Sequence, residues 1–264
     1  MFKQRLLTAL VLIPLVLAII YYANIWIMEL VVLILVVAAG WEWTKLVPLN
    51  SLLFKLLFIP VLLFFIVLSS IWLKLYLVVG FLLLVLILLA VLTFPNSEAC
   101  WGHRIFVGLA SLIILPLFAN SLGAIYQYPQ GKSLFVYLLV LVSVTDSGAY
   151  LVGKRWGRNK LIPKVSPGKT IEGAAAGLIL AMLVAGMGYF YFDYNLNFIW
   201  FFLAFVTALV SILGDLFISM LKRRVKLKDT GSILPGHGGI LDRIDGLIVA
   251  LPLFYAGFSW FFIR

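Results

Sequence analysis

The 264 residues are 64% hydrophobic and only 11% charged, more apolar surface than one soluble core could hide, so lipid must solvate most of the chain. The formal charge of +10 sits in short stretches between apolar runs, where it orients a chain against anionic headgroups; nucleic acid is therefore not an expected partner. Continuous runs such as Val78 to Leu92 lack the period-2 alternation of an outer-membrane barrel, so the expected fold is an all-α, polytopic membrane bundle of about nine transmembrane helices.

In chain order the apolar periods place spans near Leu6–Tyr22, Ile25–Val47, Leu52–Leu68, Leu75–Phe94, Ile105–Tyr126, Ser133–Gly153, Gly173–Phe192, Phe198–Leu221 and Ile240–Phe262. Lys3 and Arg5 precede the first, which resembles a secretory signal; no small-residue cleavage site follows it cleanly, and it is read as an uncleaved anchor. Nine crossings from a cytoplasmic N-terminus put Lys45, Lys55, Arg104, the Lys154–Lys169 loop and the Lys222–Lys228 loop on the cytoplasmic side. Only Lys74, Lys132 and Arg264 are left on the other, as the positive-inside rule expects. The chain reads as one integrated domain in two parts: about five apolar helices in residues 1–126, and a catalytic region of about four helices with basic cytoplasmic loops in residues 127–264.

The second part holds most of the acids: Asp146, Glu172, Asp193, Asp215, Asp229, Asp242 and Asp245. A carboxylate inside a span costs at least ~2.5–3.5 kcal/mol, so an intramembrane acid points to function before structure. Asp215 is one, and Ser211, Asp215, Ser219 and Lys222 recur at helical steps to make a polar stripe rising to a loop. Ser143, Asp146, Ser147, Tyr150 and Lys154 form a second stripe. The loop that follows ends in Gly168, Lys169 and Thr170 like a P-loop, but Pro163 stands where the first glycine belongs and no strand is expected ahead of it. A single cysteine, Cys100, and two distant histidines, His103 and His237, argue against zinc.

The densest chemistry lies in Ser219–Asp245. Asp242 and Asp245, three apart at a helix start, share a face and suit a hard cation such as Mg²⁺. Gly236, Gly238 and Gly239 bare the backbone before that helix, where N–H groups and the dipole favour phosphate, and Lys222, Arg223, Arg224, Lys226 and Lys228 add positive charge. Carboxylates with metal, plus lysines and glycine N–H groups, are parts of a phosphoryl or nucleotidyl transfer site.

The string S-x-L-K-R-x-x-x-x-K-D-x-G-x-x-L-P-x-H-G-G-I-x-D-R-I-D, 27 positions from Ser219 to Asp245, resembles the signature of the phosphatidate cytidylyltransferase (CDP-diacylglycerol synthase) family. Asp146–Tyr150 (DSGAY) and Lys164–Gly173 (KVSPGKTIEG) are similar to other segments of that family. The resemblance implies cytidylyl transfer from CTP to phosphatidic acid, giving CDP-diacylglycerol and pyrophosphate, with Mg²⁺ and room for a second cation, in the bacterial inner membrane with the site facing the cytoplasm. It implies metal binding at Asp215 and Asp242, then Asp245 and Asp229, with Lys222 and Arg223 completing the catalytic set. Lys228, His237, Gly238 and Gly239 would hold the CTP phosphates or the departing pyrophosphate, and Lys164, Ser166 and Lys169 nucleotide or lipid phosphate. Asp146, Ser219 and Arg243 complete the expected substrate contacts.

A transporter of anionic solutes would also need intramembrane acids, but would show repeats in both halves. The D-G-x-x-A-R motif of CDP-alcohol phosphatidyltransferases is absent. A CTP-dependent lipid kinase of the polyprenol type is the nearest chemical alternative. Gly173, Gly177, Ala181 and Ala185 form a small-residue ridge for a close helix partner, in this chain or in a second copy, and a homodimer is expected.

Overall fold

The computed structural model describes residues 2–47, 51–192, 197–233 and 238–262, with the backbone alone at 2–9 and 197. The chain order is α1 (Phe2–Tyr22), α2 (Ile25–Trp43), α3 (Leu52–Ile71), α4 (Leu73–Thr93), α5 (Glu98–Trp101), α6 (Arg104–Tyr126), α7 (Gly131–Trp156), β1 (Lys160–Ile162), β2 (Ser166–Thr170), α8 (Ile171–Phe192), α9 (Asn197–Arg224), α10 (Leu241–Ile244) and α11 (Leu247–Phe262). Among the described residues seven helices, α2, α3, α4, α6, α7, α8 and α9, are long and apolar enough to cross a bilayer. Two shorter apolar helices, Leu10–Tyr22 and Leu247–Phe262, would have to cross as well to make nine.

Burial separates the helices by role. α6 and α9 are the most enclosed: α6 gathers α2, α3 and α4, α9 gathers α7 and α8, and α11 packs on both. α3 and α4 instead turn Leu53, Leu57, Phe64, Phe81 and Leu82 outward, as lipid-facing helices do. Prolines 14, 60, 116 and 252 lie inside helices, which a bundle tolerates when neighbours take up the freed backbone groups.

Two details differ from expectation. The loop after α7 is a two-stranded antiparallel hairpin, with Lys160 opposite Thr170 and Ile162 opposite Ser166. Its base is tied down by Glu172, whose carboxylate accepts from the N–H groups of Arg158 and Asn159 and from Asn159 Nδ2 at 2.8 Å. The final span also breaks: α10 is one turn, and the apolar helix begins only at Leu247, so its 16 residues reach about 24 Å. The ridge on α8 is used within the chain. Gly177 lies against the carbonyl of Thr145 and a Cβ on Gly173 would sit 2.5 Å from the carbonyl of Ala149, so α7 is the close partner.

Candidate active site

The site begins where α9 crosses the start of α11. A Cβ on Gly214 would stand 2.6 Å from the carbonyl oxygen of Asp245, and one on Gly246 would stand 3.0 Å from that of Ser211. Only glycine allows the two backbones to touch, and the contact brings Asp245 within electrostatic reach of Asp215, Lys222 and Asp146. Ser219, one turn along the expected stripe, donates to Asp215 Oδ1 at 3.2 Å.

The hairpin reaches over this crossing. Thr170 Oγ1 accepts from the Gly173 N–H at 3.1 Å and caps α8, which fixes β2 against the bundle. Lys169, one residue earlier, places Nζ 2.6 Å from Asp215 Oδ2. Between hairpin, α7, α8 and α9 opens a cavity of about 620 Å³ lined by Asp146, Tyr150, Lys154, Lys160, Ser166, Lys169 and Asp215. Lys154 Nζ lies 5.7 Å from the centre of the Tyr150 ring, a cation–π contact. Two carboxylates and three ammonium groups thus face one cavity.

α9 stops in a Schellman turn: Leu227 N–H bonds the Lys222 carbonyl at 2.9 Å, and Lys226 N–H that of Arg223 at 3.1 Å. Lys226 takes the left-handed position, φ 56°, at a cost of roughly 1 kcal/mol. The turn sends the chain back toward α10, where Asp242 is caught. Its Oδ1 receives Lys222 Nζ at 2.7 Å; its Oδ2 accepts from Thr230 N at 2.8 Å and from Thr230 Oγ1 and Gly239 N at 3.1 Å. Burial pushes this carboxyl upward, but the Lys222 hydrogen bond and the backbone donors outweigh burial and hold it below the usual range.

The expected residues therefore separate into groups. Asp146, Ser166, Lys169 and Asp215 share the cavity, Ser219 supports Asp215, and Lys222 links Asp242 to Asp245. Arg223 reaches instead for the Val165 carbonyl, Nε to O 3.3 Å, and so braces the hairpin. Lys164, Lys228, Asp229 and Arg243 are exposed, with Asp229 beside Gly238. His237 lies outside the described residues. Gly238 has φ 86°, a conformation that calls for glycine, while the Gly239 N–H, expected to meet phosphate, is bonded to Asp242. Three donors crowd Asp242 Oδ2 while Lys222 is bonded to Oδ1, so a cation would approach Oδ1, beside the Lys222 ammonium or in its place. Among the described residues no three Asp, Glu, His or Cys side chains converge into a ready-made metal cage.

Sequence reasoning passed over Lys160, Thr230 and Glu42. Glu42, near the end of α2, is fully buried, and it accepts from Thr230 Oγ1 at 3.1 Å, Ile240 N at 3.1 Å and Leu241 N at 2.8 Å. Glu42, like Asp215, is an acid in an apolar span, and that feature of the sequence marks both equally.

The profile of the cytidylyltransferase family matches residues 3–261. The phosphatidate cytidylyltransferase of Pseudomonas aeruginosa is 37% identical over 283 residues, covering 97% of this chain and 96% of its own. That of Haemophilus influenzae is 35% identical over 293 residues and the full length of both, and that of Bacillus subtilis 37% over 174 residues, 65% of this chain and 64% of its own. With the signature folded around one crossing and the match running the length of the bundle, the chain belongs to the cytidylyltransferase family, among relatives named phosphatidate cytidylyltransferase.

Proposed function

We propose that this protein transfers the cytidylyl group of CTP to phosphatidic acid at the cytoplasmic face of a bacterial inner membrane. One observation carries the reading: the family signature folds so that Asp215, Asp242 and Asp245 meet Lys169 and Lys222 beside a basic cavity at one end of an apolar bundle. Contacts from Arg224 to the carbonyls of Gly102 and Leu46, and from Lys45 Nζ to the Thr230 carbonyl at 2.9 Å, draw the other basic stretches to this same end. The positive-inside rule assigns that end to the cytoplasm, where CTP is.

In the reaction a phosphatidate oxygen attacks the α-phosphorus of CTP in line, the new O–P bond forms, and the α–β bridge bond breaks to release pyrophosphate. The nucleophile is already anionic, so the protein's task is to position the partners and neutralise charge. Lys154, Lys160 and Lys169 face the volume that a triphosphate would fill. Lys169 and Lys222, each held within 2.7 Å of a carboxylate, are placed to exchange that carboxylate for a phosphate oxygen. Mg²⁺ suits the donor set: one or two carboxylates among Asp215, Asp242 and Asp245 would hold it together with water and substrate phosphates, without a full protein cage. When bound it would offset the charge growing on the departing pyrophosphate.

The test follows labels. Purified protein in detergent, given phosphatidic acid, Mg²⁺ and CTP labelled at the α- or γ-phosphate, should move α-label into lipid and release γ-label as pyrophosphate; EDTA should abolish both. Entry of γ-label into lipid would make the protein a kinase, and movement of neither label would reopen the transporter.

A further inference from the structure

The apolar N-terminal part contributes one buried charge to the site, and its surroundings are built for it. Glu42 is fully buried, yet its carboxylate receives the first two N–H groups of the α10 turn, from Ile240 and Leu241, and the Thr230 hydroxyl. Gly231 and Gly239 lie so close to this carboxylate that a side chain at either position would collide with it, so two glycines of the signature make room for an acid on α2. Thr230 Oγ1 stands 3.1 Å from Glu42 Oε2 and 3.1 Å from Asp242 Oδ2, and its single proton serves only one of them at a time. The same two residues, Thr230 and Gly239, also donate to Asp242.

We infer that Glu42 is a positioning residue of this site: by holding Thr230, Ile240 and Leu241 it fixes Asp242, and through Asp242 the ammonium of Lys222. The inference rests on the cytidylyltransferase reading above. Three donors on one buried carboxylate leave it little freedom, and every donor belongs to the segment that aims Asp242. Outer supports of this kind govern metal affinity and turnover by about 10–100-fold.

The experiment compares the parent with Glu42→Gln, whose NH2 replaces one carboxylate oxygen and so turns donors toward the N–H of either Ile240 or Leu241, each of which bonds a different oxygen. In detergent, Mn²⁺ binding is read by electron paramagnetic resonance without substrate, exchange at the Ile240 and Leu241 amides by hydrogen exchange, and α-label transfer for kcat and KM. A monodisperse variant should lose amide protection, need at least about tenfold more Mn²⁺ for half-saturation, and drop in kcat by about 10–100-fold with KM for phosphatidic acid little changed. Mn²⁺ half-saturation and kcat within about twofold of the parent would overturn the inference. So would turnover that falls only with the folded fraction while Mn²⁺ binding stays at the parent's level. If Glu42→Gln fails to insert, Thr230→Val removes the shared hydroxyl and is judged by the same readouts. A parent that moves no α-label overturns the cytidylyltransferase reading instead, and the Mn²⁺ and exchange measurements still decide the role of Glu42.

Discussion

Gly214→Ala puts the backbone crossing under the most direct strain. The new Cβ would lie 2.6 Å from the Asp245 carbonyl oxygen, where ordinary contact begins at 3.4 Å, and the obstacle is backbone that cannot swing aside. α9 and α11 must part by about 0.8 Å, which carries Asp215 away from Asp245; displacements near 1 Å at a catalytic centre cost on the order of 10²-fold in rate. Overpacking of this kind costs about 1–3 kcal/mol, so the variant should still insert. α-Label transfer at saturating CTP and phosphatidic acid measures the loss, with thermal unfolding in detergent as the check on folding. Gly186→Ala is the control, since nothing lies within 4 Å of a Cβ there, and it should match the parent. If Gly214→Ala keeps more than half the parent's turnover, the crossing does not set the geometry of the acids.

Asp215→Asn and Asp242→Asn, each folded and inserted, should lower turnover by roughly 10²–10³-fold in the α-label assay, because each removes charge aimed at the phosphates or their cation. Lys222→Met leaves Asp242 buried without its counter-charge and should destabilise by about 3 kcal/mol, the low end for a broken buried pair because the Thr230 and Gly239 donors remain. Adding Asp242→Asn to Lys222→Met should recover part of that loss in detergent unfolding. The folded carboxyl of Asp242 titrates below its ordinary 3.8, so its stabilisation is in full force above that value and disappears as pH falls through the folded one. The parent's unfolding temperature should therefore fall more steeply below about pH 4 than that of Asp242→Asn, with no such difference between pH 6 and 8.

Much of the site was legible because it is local. Ser219, Lys222, Asp242 and Asp245 lie within 27 consecutive residues, and helical spacing alone aligned Asp215 with Ser219. Hydropathy marked every long helix, since a bilayer demands long apolar runs whatever they later touch. The hairpin was not legible: a Pro- and Lys-rich loop carries no period-2 signal, and its form depends on Glu172 reaching back to Arg158 and Asn159.

The sequence by itself determined the solvent, the helical class, the family signature and the acids worth suspecting, because those follow from composition and from contacts between near neighbours. Only the tertiary structure decided which groups meet: Lys169 with Asp215 across the hairpin, α9 with α11 at two glycines, and Glu42 with Thr230, 188 positions away. Burying a carboxylate is tolerable only where distant donors converge on it, and that convergence is a property of packed helices, which no period along the chain records.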